Sequence, residues 1–433
     1  MTLLGAQTAA KLRTTARVDR QFVLRSFDFS LDPGTGEVEV SGDVVPPGEA
    51  GTGTDQWRLV VDITTSAGTR TEERDLDEPP VLPINMGRRL AGEGLTPGAR
   101  HEWMVFDPAT LTNVPAVIDV GERELIRVAR RPIPAFRVEM ELAGLRTTSW
   151  ITDTGDVVRE DSPLGLMTIR EPMERATMKA IPGDVSTDLL AASAVVPVMD
   201  QPIAEARDVR RLRMQMTGVD LSNLDLQGVG QTVDGDVIEL FDPQTLEAGP
   251  ADPDTARYLE PEPLIESDDP EIIAEAELAV AAIDPSATRA RAEELTRYVN
   301  ALIEEKPTLS LPSAREVLRT KIGDCNEHTA LYVAMARALG IPARISVGMV
   351  YVRGAFYYHA WPEVYLAEGD DRGLWLPVDP TFNQFPTDGM HLRLARGGLE
   401  QQAVILPLIG QVQLTVLDVE FAPDSVPILV GGP

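Results

Sequence analysis

Through the first 160 residues, apolar positions alternate with polar ones in short runs separated by turn signals, a pattern that predicts β-strands rather than helices. Phe22 to Leu31 and Gly36 to Val44 read as two strands split by the turn cluster Asp32-Pro-Gly-Thr-Gly36. Val45 to Thr54 is rich in Pro and Gly and predicts a loop. Strands follow at Trp57 to Thr64, His101 to Phe106, Arg123 to Ala129, Ala135 to Glu141, Leu145 to Ile151 and Val157 to Glu160, with one short helix at Leu82 to Leu90. Such regular short strands predict a twisted antiparallel sheet or half-barrel.

The pattern then changes. Glu171 to Lys179 and Ser186 to Ala194 have helical spacing, and Val209 to Thr217 and Thr232 to Phe241 read as strands of a small bridging unit. Glu247 to Glu271 is dense in Pro, Asp and Glu and predicts a linker, with a boundary near Ile265. Helical periodicity starts at Pro270 and runs to Ile283, is broken at Asp284-Pro-Ser286, and resumes from Ala287 to Glu304. Leu295, Val299, Leu302 and Ile303 form the apolar face of the second helix. Ser313 with Glu316 and Asp324 with Glu327 repeat the capping-box spacing, so one helix is expected through Leu318, closed at Gly323, and another from Cys325. Leu331, Ala334, Met335, Ala338 and Leu339 give that helix an apolar face before Gly340 and Pro342 stop it. Ala343 to Val352, Phe356 to Leu366 and Leu374 to Asp379 predict three strands. Leu399 to Leu406 reads as helical and Val412 to Phe421 as a final edge strand. The expected division is a β-rich domain 1–180, a bridging β unit with acidic linker 181–265, and an α+β domain 266–433.

Composition narrows the functions available. The 433 residues carry a formal net charge of −29, which argues against nucleic acid and anionic membrane surfaces as partners. A single cysteine rules out an intrachain disulfide. There is no apolar run of 18 residues and hence no predicted membrane span. The N-terminus shows no basic segment followed by an apolar core. Localisation follows from what precedes Met1 in the gene: cell envelope or periplasm if a leader has been removed, cytoplasm otherwise. Oligomeric state is not set by the sequence.

Candidate chemistry gathers in residues 313–381. Cys325 falls in the first turn of a capped helix, where unpaired N–H groups and the helix dipole are expected to lower a thiol pKa. His359 follows 34 residues later inside a predicted strand, and Asp379 closes the next one. Adjacent antiparallel strands would set His359 and Asp379 opposite each other. Cys325 would then attack a carbonyl, His359 would shuttle the proton and Asp379 would orient His359. Taken singly, a lone cysteine packs as a small hydrophobe and a strand histidine is structural; the joint pattern outweighs both. Cys325 and His328 form a C-x-x-H pair, but structural zinc requires four ligands in paired spacings, so no metal and no cofactor is predicted. His328 is expected on the helix surface or behind the site, and His391 on the rim. Met390 and Arg393 have no assigned role.

The stretch resembles the transglutaminase-like superfamily, the papain-like group that contains transglutaminases, peptide N-glycanases and bacterial cysteine proteases. The motifs are Gly323-Asp-Cys-Asn-Glu-His328, His359-Ala-Trp-Pro-Glu-Val-Tyr365 and Trp375-Leu-Pro-Val-Asp-Pro-Thr381. The resemblance spans roughly Asp284 to Thr381 and implies a helix-then-sheet papain-like core with Cys325, His359 and Asp379 as catalytic triad. Animal members place a Trp upstream of the cysteine at the oxyanion; this chain has none between Trp150 and Trp361. The Cys325 backbone N–H is then the first oxyanion donor. Asn326, Trp361 and Tyr298 are the further candidates for the substrate cleft. The leading functional expectation is thiol-dependent acyl transfer on protein or peptide amides, with water as acceptor (a cysteine peptidase or amidase). A protein-glutamine transglutaminase is the alternative within enzymes, and a non-catalytic envelope binding or scaffold module the alternative outside them.

Overall fold

The computed structural model describes residues 2–3, 6–7, 11–32, 38–48, 56–65, 68–107, 112–128, 131–142, 145–161, 167–173, 194–200, 203, 205–222, 224–262, 264–305, 313–369, 371–397 and 408–422. The helices expected at Glu171 to Lys179, Ser186 to Ala194 and Leu399 to Leu406 lie wholly or mostly outside these residues. The chain divides into two compact units: Met1, Ala9–Thr187 and Leu406–Ile409 in one, Thr2–Thr8, Asp188–Ile405 and Gly410–Pro433 in the other. No helix among the described residues is long and apolar enough to cross a membrane.

The first unit is β-rich, as the alternating pattern dictates. Lys11–Val18, Leu24–Asp32, Val38–Val45, Trp57–Thr65 and Gly68–Leu76 form a five-stranded antiparallel meander. Arg100–Asp107, Thr112–Val128, Arg131–Leu142, Leu145–Ile151, Val157–Asp161 and Met167–Ile169 form a six-stranded one. There are thus two separate sheets where one was expected. The helix Met86–Glu93 buries Met86 and Leu90 against Val105, Ile118 and Val138 of the second sheet.

The second unit holds an α+β core. Its helices are Pro270–Ala279, Thr288–Leu302, Ala314–Thr320 and Cys325–Ala338, which we call the cysteine helix. A five-stranded antiparallel sheet follows the order Gly249–Pro250, Arg372–Pro377, Ala355–Ala367, Ala343–Val352, His391–Gly397. The two faces of this sheet carry different residues. Ala343, Ile345, Val347, Ala360 and Val364 join Leu331, Met335, Leu295 and Val299 of the helices in one apolar cluster. Cross-strand partners share a face. The ladder pairs Arg344 with Glu363, Ser346 with Trp361, Gly348 with His359 and Arg393, and Val350 with His391, so the opposite face is polar.

A second, four-stranded sheet runs in the order Gln231–Asp234, Val237–Phe241, Val209–Thr217, Gln413–Phe421, and Gln231 and Phe241 of its hairpin line a small cavity with Trp361, Glu363, His391 and Arg393 of that polar face. The strand expected over Thr232 to Phe241 is a hairpin, turned at Gly235 with φ +60°. The final strand takes an edge position, paired antiparallel with Val209–Thr217. Gln231 is buried and ties the two sheets together: its amide donates to the Leu226 and Arg393 carbonyls and accepts from the Arg393 N–H.

Candidate active site

The cysteine helix starts where the sequence places its cap. The Asp324 side chain accepts from the Asn326 N–H at 3.0 Å, and the Glu327 carboxylate accepts from the Asp324 N–H at 2.8 Å. Both halves of the capping box are therefore formed. Gly323 does not close the preceding helix. That helix ends at Thr320, and Lys321 takes the left-handed turn at φ 54°. Gly323 is glycine for a different reason: a Cβ there would sit 2.2 Å from the Glu327 Cβ, in the path of the folded-back cap.

Cys325 is half-buried at the first helical position. The Ala360 backbone N–H faces its sulfur, and Thr329, one turn along the helix, donates to the Ala360 carbonyl at 3.1 Å. The nucleophile candidate is thus held against the strand residue that follows His359. Burial raises the thiol pKa well above its ordinary value, and the carboxylates of Asp324, Glu327 and Asp379 push it the same way against the Ala360 N–H. These carboxylates oppose the thiolate that the helix start was expected to stabilise. The cap that begins the helix occupies a first-turn N–H with a carboxylate, and that charge opposes the dipole next to the sulfur.

His359 and Asp379 do meet, but not as opposite residues in a ladder. The strand Arg372–Pro377 ends before Asp379, which sits in a turn bridged to Gln384. From there its Oδ2 lies 2.8 Å from His359 Nε2. Oδ1 accepts the Thr381 and Phe382 N–H groups at 2.8 and 3.1 Å. Burial opposes ionisation of Asp379; the facing His359 and His391 outweigh it and hold its pKa well below the usual carboxylate range. An ionised carboxylate only accepts, so His359 donates to it from Nε2. The imidazole is flanked by two rings: Trp361, near-parallel at 20° with centroids 6.0 Å apart, and Phe382 at 5.0 Å.

His391 departs from expectation. It is buried rather than at the rim, with Nε2 3.1 Å from Asp379 Oδ2 and Nδ1 3.0 Å from Asp388 Oδ1. His328 is buried too, not on the helix surface, and its Nδ1 lies 2.7 Å from the Asp324 carbonyl; burial lowers its pKa. Tyr298 is not brought to the cysteine: its hydroxyl donates to Glu275 on Pro270–Ala279. Asn326 lies beside Cys325 with its N–H on the Asp324 cap. Trp375 packs with Tyr258 and Tyr365, and Arg344 stacks on its ring at 3.8 Å. Among the described residues, one group of three metal-type side chains converges: His359, Asp379 and His391, whose ligand atoms lie within 4.8 Å of one another. These atoms are already joined by hydrogen bonds.

Residues 278–380 match the model of the transglutaminase-like superfamily, so the second unit carries that superfamily's core. No curated protein matches the sequence. A Cytophaga hutchinsonii structure described as a "putative cysteine protease" shares 18% identity, with 49% of this chain and 90% of that one covered, at a TM-score of 0.33. The periplasmic domain of TgpA from Pseudomonas aeruginosa shares 19% identity, with 40% and 73% covered, at a TM-score of 0.26. A Parabacteroides distasonis structure described as a "putative protease" shares 10% identity, with 82% and 68% covered, at a TM-score of 0.22.

Proposed function

We propose that the second unit is a thiol-dependent acyl-transfer enzyme acting on protein or peptide amides, with Cys325 as nucleophile, His359 as general base and Asp379 as the group that orients His359. The observation that carries this reading is the 2.8 Å bond from His359 Nε2 to a fully buried Asp379, beside a helix-start cysteine. Burying an ionised carboxylate is costly, and a purely structural histidine needs no such partner.

In this reading His359 rests neutral with its proton on Nε2 facing Asp379. Nδ1 takes the thiol proton as Cys325 Sγ adds to the amide carbonyl, and the resulting imidazolium is stabilised by Asp379. The Cys325 backbone N–H, with no intrahelical acceptor at the first position, is one donor for the oxyanion. Collapse of the tetrahedral adduct breaks the C–N bond; the amine leaves with the His359 proton and a thioester remains. Water, deprotonated by His359, then releases the acid and regenerates the thiol. The raised thiol pKa favours deprotonation during attack over a standing thiolate–imidazolium pair. Trp361, stacked beside the imidazole and itself buried, restricts rotation of the His359 ring.

Water is the acceptor we favour because it requires no dedicated site. An amine acceptor gives the transglutaminase reading through the same thioester. A non-catalytic binding module would have no use for a buried His–Asp pair beside the thiol. Intact-protein mass spectrometry with a peptide-amide electrophile decides the class. A single adduct on wild type, none on Cys325→Ala and slowed formation on His359→Ala are expected. Labelling of wild type only after denaturation would overturn the reading. Adding a primary amine to acylated enzyme separates hydrolysis from transamidation.

A further inference from the structure

Two carboxylates converge on one imidazole behind His359. His391 places Nε2 3.1 Å from Asp379 Oδ2 and Nδ1 3.0 Å from Asp388 Oδ1, with side-chain exposures of 3%, 0% and 7% for the three groups. Every carboxylate oxygen in the cluster already faces a donor. Asp379 Oδ1 takes the Thr381 and Phe382 N–H groups, and its Oδ2 takes His359 as well as His391. Asp388 Oδ1 takes the Met390 N–H at 3.0 Å, and its Oδ2 takes the Gln384 amide at 3.0 Å. Asp379 and Asp388 are both held below the usual carboxylate range by the imidazoles they face, and with both ionised His391 donates from both nitrogens.

We propose that His391 is a positioning residue: an imidazolium clamped between Asp388 and Asp379 that holds Asp379 as the ionised, fixed acceptor His359 requires. The proposal rests on the roles given above to Cys325, His359 and Asp379. Asp388 and His391 both lie beyond residues 278–380, the segment that matches the superfamily. His391 touches none of the reacting atoms and acts through Asp379. Without its charge, two buried carboxylates face one neutral ring able to donate only once. A proton taken up by Asp379 would relieve this, and its O–H would then point at His359 Nε2. That moves the His359 proton to Nδ1 and removes the base.

The other charged groups around His391 do not supply the missing cation. His359 bonds the same Asp379 oxygen, its ring centroid 6.0 Å from that of His391. Glu363 and Arg393 line the cavity of about 20 Å³ beside His391, and Glu363 is matched there by Arg344 at 2.7 Å and Arg393 at 3.6 Å. The Trp361 ring meets His391 edge to face at 5.1 Å and fixes its plane. Burial opposes the charge on His391, but Asp388 and Asp379 outweigh it and raise its pKa from 6.5 to about 9.

The test is a titration of the full chain labelled with [13Cε1]histidine, its four imidazoles assigned by single His→Gln variants. It is paired with the pH dependence of Cys325 alkylation by iodoacetamide. His391 in wild type is expected to stay charged through pH 8 and to titrate near 9. Asp388→Asn, which keeps the acceptor for the Met390 N–H, should move that titration down by about two units. It should also slow alkylation at least tenfold at pH 8 relative to wild type, with the two rates converging at pH 6. A wild-type His391 that titrates at or below 6.5 overturns the proposal and needs no variant to fold. So does an Asp388→Asn protein whose His391 titration falls while its alkylation profile stays that of wild type. Alkylation requires no turnover, so a chain that behaves as expected yet cleaves no amide refutes the proposed function and not this one. Alkylation indifferent to His359→Ala refutes the triad itself.

Discussion

The Asp324 carboxylate caps the helix that presents Cys325 and, from the adjacent residue, opposes ionisation of the Cys325 thiol. One residue thus serves the fold and works against the resting thiolate. Asp324→Asn separates the two roles, since asparagine caps as well as aspartate but carries no charge. The thiol pKa should fall, and alkylation of Cys325 at pH 7 should accelerate several-fold with little change in Tm. An unchanged rate would mean that burial and the Glu327 and Asp379 carboxylates, not Asp324, keep the thiol neutral.

Asp379 fixes the His359 tautomer, and Asp379→Asn removes that control while keeping nearly the same volume. An amide N–H facing Nε2 would drive the proton to Nδ1, where it blocks the base. The rate of acylation should fall by roughly 10³–10⁴-fold with little change in substrate binding, measured in single-turnover experiments on whichever amide proves to be a substrate. A loss below tenfold would remove Asp379 from the mechanism.

The sequence made the cysteine helix legible because its start is a local signal: Asp324 and Glu327 three residues apart, then apolar positions at helical spacing. The strands after it were legible for the same reason. The exact meeting of His359 with Asp379 was not, because Asp379 lies past its strand in a turn that no periodicity announces. His391 was misread as a rim residue. Its burial depends on strand order and on the Gln231–Phe241 hairpin meeting the polar face of the sheet, both of which are long-range facts. The only local hint was Asp388 three residues before His391, a spacing too common to carry weight. Gly348 shows a similar limit. It pairs with His359 on one side and Arg393 on the other, and a Cβ would come within 2.0 Å of the Leu392 carbonyl, a restriction visible only once three strands are side by side.

Stability should depend on pH in a way set by His391 and its two carboxylates. The folded pKa of His391 is raised from 6.5 to about 9, so its contribution is complete below about 6.5 and is lost as pH rises through about 9. That contribution is about 3 kcal/mol, from about 1.4 kcal/mol per unit. Asp379 and Asp388 have lowered folded pKa values; their contribution is present above the ordinary 3.8 and is lost as pH falls through the lowered values. Tm measured from pH 4 to 10 should therefore decline from about 6.5 upward in wild type. The alkaline decline should be much smaller in His391→Gln. A wild-type Tm that is flat across that window would contradict the charge assigned to His391.

Glu363 is fully buried between Arg344 and Arg393. Burial works against its ionisation, but the guanidiniums prevail and its pKa drops to about 2. Glu363→Gln keeps the shape and leaves two buried cations facing each other without a counter-charge. Breaking a buried pair in this way costs roughly 3–5 kcal/mol, read as a lower urea midpoint by tryptophan fluorescence. Arg344→Lys should cost less, because an ammonium still pairs with Glu363 but loses the stacking on Trp375. If Glu363→Gln unfolds at the wild-type midpoint, the polar face of the sheet is not held by this charge.

Gly323 tests whether the capping box, rather than the helix behind it, sets the position of Cys325. Its φ is not in the left-handed region, so alanine is excluded by space alone: the new Cβ would meet the Glu327 Cβ at 2.2 Å. Glu327 would have to swing away and give up the Asp324 N–H that it now accepts at 2.8 Å. The loss should be about 1–2 kcal/mol, the usual cost of a removed cap, with a slower acylation rate because the first turn loosens beneath the sulfur. Glu327→Gln preserves the capping geometry and takes one carboxylate away from the thiol, so it should keep most of the stability and speed alkylation at pH 7. If Gly323→Ala and Glu327→Gln moved the alkylation rate in the same direction, the charge and the geometry of the cap could not have separate effects on Cys325, and this account of the helix start would fail.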